Sequence, residues 1–158
     1  MKVTFQLNGR EIMVDVNSGK RLADLLHDEL KVKSVRASCY RGLCGNCTVI
    51  INDTAQLSCL IPAFTVHGKS ILTIEGFEET PEYEEMMTIF GRHNYTPCSY
   101  CFPGKILAIH ALLLQNLNPS KGEILEALWG NRCSCDVYAP LIESVYTAAH
   151  LRRRGSHV

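Results

Sequence analysis

The stretch Cys39-Tyr40-Arg41-Gly42-Leu43-Cys44-Gly45-Asn46-Cys47 decides how the first half of this chain folds. Its three cysteines are spaced C-x4-C-x2-C, and Cys59 follows after eleven intervening residues. Three thiols on one loop, with a fourth from a separate segment, enclose a metal centre from several sides. Gly42 and Gly45 suit such a loop, because glycine allows close approach of the backbone and a positive φ.

This spacing is that of plant-type [2Fe–2S] ferredoxins. We therefore predict that the four cysteines ligate a first [2Fe–2S] cluster, with Gly42 and Gly45 in the cluster loop and backbone N–H groups directed at the sulfurs. A zinc site or a pair of disulfides is the alternative for such a set. The predicted ligands are Cys39, Cys44, Cys47 and Cys59.

The second half contains another four cysteines, namely Cys98, Cys101, Cys133 and Cys135. They form a C-x2-C pair and a C-x-C pair, a pattern that a second [2Fe–2S] cluster or a four-cysteine zinc site would use. Pro103-Gly104 predicts a helix start, which places Cys101 near the positive end of a helix dipole and favours its thiolate.

The opening residues 1–7 alternate between apolar and polar and lack the continuous apolar core of a secretory signal. We therefore expect a cytoplasmic protein, where cysteines are more often metal ligands than disulfides. Lysine plus arginine equals aspartate plus glutamate at 16 each, which argues against nucleic acid as a partner. The longest apolar stretch, 106–114, is too short to span a membrane. The six histidines show no metal-binding or catalytic spacing, so we assign no catalytic residue.

Around the first loop, the pattern predicts an α+β domain. A β-hairpin over 3–16 turns at Asn8-Gly9, a helix covers 21–30, and β-branched runs at 48–51 and 70–74 form further strands. The second half has helical periodicity over 103–117 and 140–151, with a capping box at Ser120 and Glu123 between them. Trp129 ends the middle helix and is interpreted as a packing residue.

These patterns divide the chain into four segments. They are a plant-type [2Fe–2S] ferredoxin-like domain at 1–76, a linker at 77–85, a helical [2Fe–2S]-binding domain at 86–151 and a basic tail at 152–158.

With all eight cysteines in this order, the chain resembles the two-cluster iron–sulfur subunit of the xanthine dehydrogenase and aldehyde oxidoreductase family, also called molybdenum hydroxylases. The similarity extends from Val3 to about Tyr146. Its anchors are the 39–49 loop, Ser58-Cys59, Cys98-Ser99-Tyr100-Cys101-Phe102-Pro103-Gly104 and Gly130-Asn131-Arg132-Cys133-Ser134-Cys135.

The resemblance implies a β-grasp ferredoxin-like domain followed by a four-helix-bundle domain, with one [2Fe–2S] cluster in each. It also implies a large molybdopterin-binding catalytic subunit and an FAD-binding medium subunit as partners. Single electrons would pass from molybdenum through the helical-domain cluster and the plant-type cluster to flavin. A stand-alone ferredoxin-like carrier or redox sensor, and a zinc-stabilised interaction module, are the alternatives.

The chain departs from the family pattern mainly around the second cysteine set. Pro97 occupies the position of a glutamine that contacts the pterin, while Ser134 and Asp136 replace an arginine and a threonine. Ser38 replaces a glycine before the first loop. We therefore hypothesise an unusual partner, cofactor docking or substrate.

Overall fold

The computed structural model of this protein describes residues 1–131, 133 and 138–155. Within them a five-stranded sheet fills the first half and helices fill the second, as predicted. The strands are β1 (Lys2–Leu7), β2 (Arg10–Asp15), β3 (Thr48–Ile51), β4 (Thr54–Leu57) and β5 (Ser70–Leu72). The helices are α1 (Leu22–Asp24), α2 (Ile74–Phe77), α3 (Pro81–Arg92), α4 (Phe102–Gln115), α5 (Lys121–Ala127) and α6 (Tyr138–Gly155).

The sheet has the strand order β2-β1-β5-β3-β4. Only β1 and β5 pair in parallel in this described sheet, and the other neighbours are antiparallel. The predicted β1–β2 hairpin is confirmed. Asn8 and Gly9 both have positive φ, 50° and 77°, as the tight turn between twisted strands requires.

The predicted helix over 21–30 lies across the sheet, but its second half differs from an α-helix. After α1, the segment Leu25–Glu29 forms a π-helical turn, and Leu30 N–H donates to the Leu25 carbonyl at 3.0 Å. Leu22, Leu25 and Leu26 are fully buried against the sheet. The stripe of leucines therefore predicts the buried face of the helix correctly. It does not distinguish an α-helix from a π-helical turn.

Two parts of the sheet differ from the sequence prediction. Strand β4 was not predicted, because Thr54–Leu57 is short and lacks an alternating pattern. It forms a hairpin with β3 through Asn52 and Asp53, whose φ angles are 46° and 64°. The predicted strand at 70–74 ends at Leu72, because Thr73 is already the extended residue that precedes helix α2.

The predicted linker at 77–85 is instead largely helical. Pro81 is the first residue of α3, and the Thr80 hydroxyl caps the helix by accepting from Tyr83 N–H at 3.3 Å. Proline at this position lacks only an N–H group that the helix would leave unbonded. Glu82 and Glu84 lie in the first turn, where the helix dipole favours negative charge.

The last helix is longer than predicted and includes part of the predicted basic tail. Helix α6 continues from Tyr138 to Gly155, so Arg152 is helical and its Nε lies 2.9 Å from Glu85 Oε1 of α3. The capping box of Ser120 and Glu123 at the start of α5 is confirmed. No helix in the described ranges has both the length and the apolar character needed to cross a bilayer.

The two halves have separate cores that meet at the sheet. One core lies between the sheet and α1, and the other lies among α2, α3, α4, α5 and α6. Ile50 of β3 belongs to the helical core, because β3 has buried residues on both faces. Helix α4 packs on β3 and β4, which holds the helical half against the sheet.

A polar cluster of Asn8, Ser34, Thr73 and Glu75 fixes the start of α2. Asn8 Oδ1 accepts from Thr73 N–H at 2.9 Å, and Thr73 Oγ1 donates to Glu75 Oε2 at 2.6 Å. The N–H and hydroxyl of Ser34 donate to the same carboxylate at 3.1 and 2.8 Å. Burial opposes the charge of Glu75, but these hydrogen bonds outweigh it and lower the pKa of the carboxyl.

Glu75→Gln should lower the free energy of unfolding of the cluster-loaded chain by about 1 kcal/mol at pH 7, because a neutral amide accepts these bonds more weakly. A carboxyl whose pKa is lower in the folded state stabilises above its unfolded pKa, and this contribution is lost as pH falls through the folded value. The loss in urea unfolding should therefore be equal at pH 6 and pH 7. Glu79→Gln, at a neighbouring exposed site, is the control, and equal losses in both variants would contradict this account.

Candidate iron–sulfur centres

The first cysteine loop has a backbone shaped by residues with positive φ. Tyr40, Gly42 and Gly45 have φ angles of 52°, 73° and 70°, so the loop reverses direction several times between its cysteines. Cys59 approaches from a 3₁₀ turn, Ser58–Leu60. That turn is tied to the loop because the Ser58 N–H and hydroxyl donate to the Cys47 carbonyl at 3.1 and 2.6 Å.

The structure places the four predicted ligands of the first cluster in two separate pairs. The side chain of Cys39 hydrogen bonds to that of Cys44. The side chain of Cys47 hydrogen bonds to that of Cys59, and the charge of Cys44 also acts on it. In the described ranges, no three His, Cys, Asp or Glu side chains converge as the ligands of one ion would. Two pairs suit a centre with two iron atoms.

The two pairs differ in their exposure and in their thiol chemistry. Partial burial raises the pKa of the Cys39 thiol, but N–H groups of Arg41, Leu43 and Cys44 outweigh it and lower that pKa to about 6. Burial against the sheet raises the pKa of Cys47 to about 12. The N–H groups of Arg41 and Leu43 both lie 3.4 Å from Cys39 Sγ, as predicted for a loop that stabilises thiolate.

The second cysteine set lies where α4 begins and where the loop after α5 returns. Cys98 O accepts from Phe102 N–H at 2.9 Å, and the side chain of Cys101 hydrogen bonds to that of Cys133. Burial and this hydrogen bond raise the pKa of Cys101 to about 11, whereas N–H groups of Tyr100 and Cys101 lower that of Cys98. Cys135 lies outside the described residues.

Two polar side chains that the sequence analysis missed adjoin this second set. Lys105 is only 3% exposed and lies in the first turn of α4. Its positive charge opposes the burial that raises the pKa of Cys101, and it adds a small effect to the N–H groups that lower the pKa of Cys98. Burial raises the pKa of Tyr95 to about 12, and negative charge at Cys133 adds to the effect. The sequence analysis did not predict that Lys105 is buried, because a lysine interrupts the apolar pattern of α4. Its position in the helix is the only signal that could have indicated this burial.

The two cysteine loops touch through a junction of glycines and Asn131. A Cβ atom added to Gly45 would lie 2.2 Å from both the Asn131 side-chain oxygen and the Gly130 carbonyl oxygen. One added to Gly104 would lie 2.1 Å from the Gly45 carbonyl oxygen. The first loop, the start of α4 and the second loop thus meet with no room for a side chain.

A second contact between the loops lies at the surface. Ser38 Oγ lies 3.0 Å from the Tyr100 hydroxyl, and the Arg36 guanidinium lies 5.0 Å from the centre of the Tyr100 ring. Tyr100 stands between Cys98 and Cys101, so this contact ties the segment before the first loop to the second cysteine pair. The replacement of a glycine by Ser38 therefore adds a hydrogen bond between the two halves.

These residues fit a [2Fe–2S] group in each half. The first loop offers four thiols in two pairs, backbone N–H groups directed at sulfur, and two glycines whose φ a bulkier residue would not readily adopt. The described part of the second set offers three thiols with a buried cation beside them.

Two family models match the chain. One, described as "2Fe-2S iron-sulfur cluster binding domain", matches residues 9–88, and the other, described as "[2Fe-2S] binding domain", matches residues 73–146. The chain is thus a protein of two [2Fe–2S] domains, and the two matches indicate two clusters, as predicted.

Known relatives are similar over nearly the whole chain. The small subunit of nicotine 6-hydroxylase from Paenarthrobacter nicotinovorans is 33% identical over 148 residues, which are 94% of this chain and 89% of that subunit. The small FeS subunit of nicotinate dehydrogenase from Eubacterium barkeri is 34% identical over 90% of this chain and 91% of its own length.

Solved structures show the same architecture. A chain of quinoline 2-oxidoreductase from Pseudomonas putida 86 matches with a TM-score of 0.85 and 30% identity, covering 98% of this chain and 97% of that one. Aldehyde oxidoreductase from Desulfovibrio desulfuricans matches with a TM-score of 0.84 and 30% identity, but this chain covers only 17% of that longer one. This chain belongs to the iron–sulfur subunits of the xanthine dehydrogenase and aldehyde oxidoreductase family.

Family membership confirms the predicted class of function. The chain is an electron-transfer component of an oxidoreductase complex of the molybdenum hydroxylase family, and the substrate chemistry takes place outside it.

Gly45→Ala should destabilise the cluster-loaded chain by about 2 kcal/mol or more, because the new Cβ meets a backbone oxygen that cannot turn away and the residue keeps a positive φ. Urea unfolding and iron content measure the effect.

Gly91→Ala in α3 is the matched control, because its Cβ would have no atom within 4 Å. That variant should be neutral or stabilised by up to about 1 kcal/mol. Equal stability of the two variants would contradict a tight junction at Gly45.

Proposed function

We propose that the first [2Fe–2S] cluster is bound by the two cysteine pairs of the plant-type loop. Cys39 and Cys44 would bind one iron, because their side chains already hydrogen bond to each other. Cys47 and Cys59 would bind the other iron for the same reason. Gly42 and Gly45 allow the loop to close around the cluster.

The second cluster would be bound by the four cysteines of the helical half. The side chain of Cys101 hydrogen bonds to those of both Cys98 and Cys133. Cys135 would complete the set of four ligands. A bound [2Fe–2S] cluster takes up and releases one electron at a time, and a two-electron reaction therefore proceeds through this chain in single steps.

We propose that this chain relays those electrons between a large molybdopterin-binding catalytic subunit and an FAD-binding medium subunit, in a complex that we expect to be cytoplasmic. The observation that supports protein partners is a group of exposed apolar side chains beside each cysteine loop. Tyr40, Leu43 and Leu60 are 44%, 56% and 55% exposed around the first loop. Tyr100 and Trp129 are 48% and 69% exposed beside the second.

Trp129 had been interpreted as a packing residue, and that interpretation is wrong. Its ring lies at the surface next to Gly130 and the second loop, where a protein partner would cover it. Exposed tryptophan and tyrosine are the residues most enriched at the centres of protein interfaces. An electron crosses only a short distance between two redox groups. Cluster loops at surfaces that partner subunits would cover therefore suit a relay.

The stand-alone carrier is the second candidate. The names of the relatives favour the complex, because they are small subunits of a hydroxylase and a dehydrogenase. The two candidates differ in a direct test. Anaerobic purification of the tagged chain from cells that also express the proposed partner subunits should yield molybdenum and FAD in copurifying subunits. A stand-alone carrier would be recovered without either.

In the purified complex, Cys44→Ser should remove the EPR signal of the first cluster, stop electron flow to flavin, and leave the second signal in place. Cys133→Ala should do the reverse, removing the second signal and weakening retention of the molybdenum subunit. Each variant is the control for the other, because each leaves the other cysteine set intact. Both signals surviving in Cys44→Ser would contradict the ligand assignment.

The departures from the family pattern are a further part of this proposal. Pro97, directly before Cys98, has no side-chain donor for a pterin, so the cofactor of the partner would be held there by other contacts. A structure of the complex that shows an ordinary pterin contact from the backbone at Pro97 would overturn that idea.

A further inference from the structure

Lys105 is buried where a lysine is costly. Among the residues that the structure describes, it is the only lysine, arginine, aspartate or glutamate in the buried class, with 3% of its surface exposed. A buried ammonium group loses its hydration, and proteins rarely keep one without a compensating interaction. The position lies in the first turn of an apolar helix, and an apolar side chain would pack there at no such cost.

The surroundings of Lys105 are the second cysteine set. Its N–H donates to the Cys101 carbonyl at 3.3 Å, so it lies one helical turn after that ligand. Its Nζ lies 5.6 Å from the centre of the Tyr138 ring, at the start of the helix that follows the second cysteine pair. Lys105 is thus hydrogen bonded through its backbone to one cysteine of the set, and its Nζ lies beside Tyr138, three residues after Cys135 in the sequence.

Among the described residues, no cation beside the first cysteine set is in the buried class. Arg21 is exposed and directs NH1 to the Cys59 carbonyl at 2.9 Å, while its guanidinium stacks on the Tyr40 ring. Arg36 is half-buried, and its guanidinium lies 5.0 Å from the centre of the Tyr100 ring of the second set. Solvent screens the charge of an exposed arginine far more than that of a buried lysine. The two centres therefore have different electrostatic environments within one chain.

The difference matters for electron uptake. Adding an electron to a thiolate-bound centre increases its negative charge, so a nearby fixed cation stabilises the reduced form more than the oxidised form. The potentials of iron–sulfur centres are set in part by such charges and by burial. A buried lysine beside only one of two centres therefore shifts the potential of that centre relative to the other.

We propose that Lys105 raises the reduction potential of the second cluster relative to the first, and so sets how electrons distribute between the two. This inference rests on the proposed function, because it requires a [2Fe–2S] cluster at each cysteine set. Lys105 would act on the second cluster through its charge alone, and it forms no bond to the electron donor or acceptor.

The test is an anaerobic redox titration of the full chain in its complex, with dithionite as reductant, ferricyanide as oxidant and EPR as the readout. The Cys44→Ser variant identifies which signal belongs to the second cluster. In Lys105→Met the one-electron redox equilibrium of the second cluster should change about tenfold toward the oxidised form. This lowers the reduction potential of that cluster by about 59 mV. The first cluster should keep its potential.

Two matched variants distinguish charge from packing. Lys105→Arg keeps the charge and should retain most of the wild-type potential, whereas Lys121→Gln removes an exposed lysine at the start of α5 and should change neither potential. If Lys105→Met does not retain four irons per chain, Lys105→Gln keeps a polar end and carries the same expectation.

An unchanged second potential in the variant without the charge would overturn the inference, and so would an equal shift of both clusters. A wild-type chain without two [2Fe–2S] signals would instead overturn the proposed function. The two failures are therefore distinguishable in the same titration.

Discussion

The contact of Gly45, Gly104 and Asn131 is the constraint on which the rest of the structure depends. Neither glycine has room for a Cβ atom, so the first cysteine loop and the start of α4 pack in one relative position. Helix α4 carries Cys101 at its N-terminus, and Asn131 lies two residues before Cys133. The packing of the helical half on β3 and β4 thus fixes the two cysteine sets against each other. A relay of electrons needs such fixed spacing, because flexible loops would vary the distance.

Much of this arrangement was predictable from the sequence, since it rests on local patterns. The cysteine spacing predicted both sets, and each set contains described cysteines whose side chains hydrogen bond to each other. That these cysteines bind clusters stays a prediction. The Asn8-Gly9 turn predicted the first hairpin, and Ser120 with Glu123 predicted the start of α5. In each case the chemistry lies within a few neighbouring residues, which is the range over which sequence patterns are informative.

The features that the sequence did not predict depend on distant contacts. Strand β4 exists because β3 offers a partner, and the acidic segment after Phe77 is helical because Thr80 and Pro81 start α3 against the helical core. The burial of Lys105 and the exposure of Trp129 follow from how α4 and the second loop pack, although residue type alone indicates the opposite for both. Lys105 and Trp129 both adjoin the second cysteine set, and departures from the usual burial of a residue type are typical of functional sites.

The central claim is that this one chain holds two [2Fe–2S] clusters. Its most direct test is the iron, acid-labile sulfide and zinc content of the anaerobically purified protein, followed by EPR of the reduced sample. The account predicts about four iron and four sulfide per chain, with two distinct S = 1/2 signals. Zinc without sulfide would contradict it and would make both cysteine sets structural.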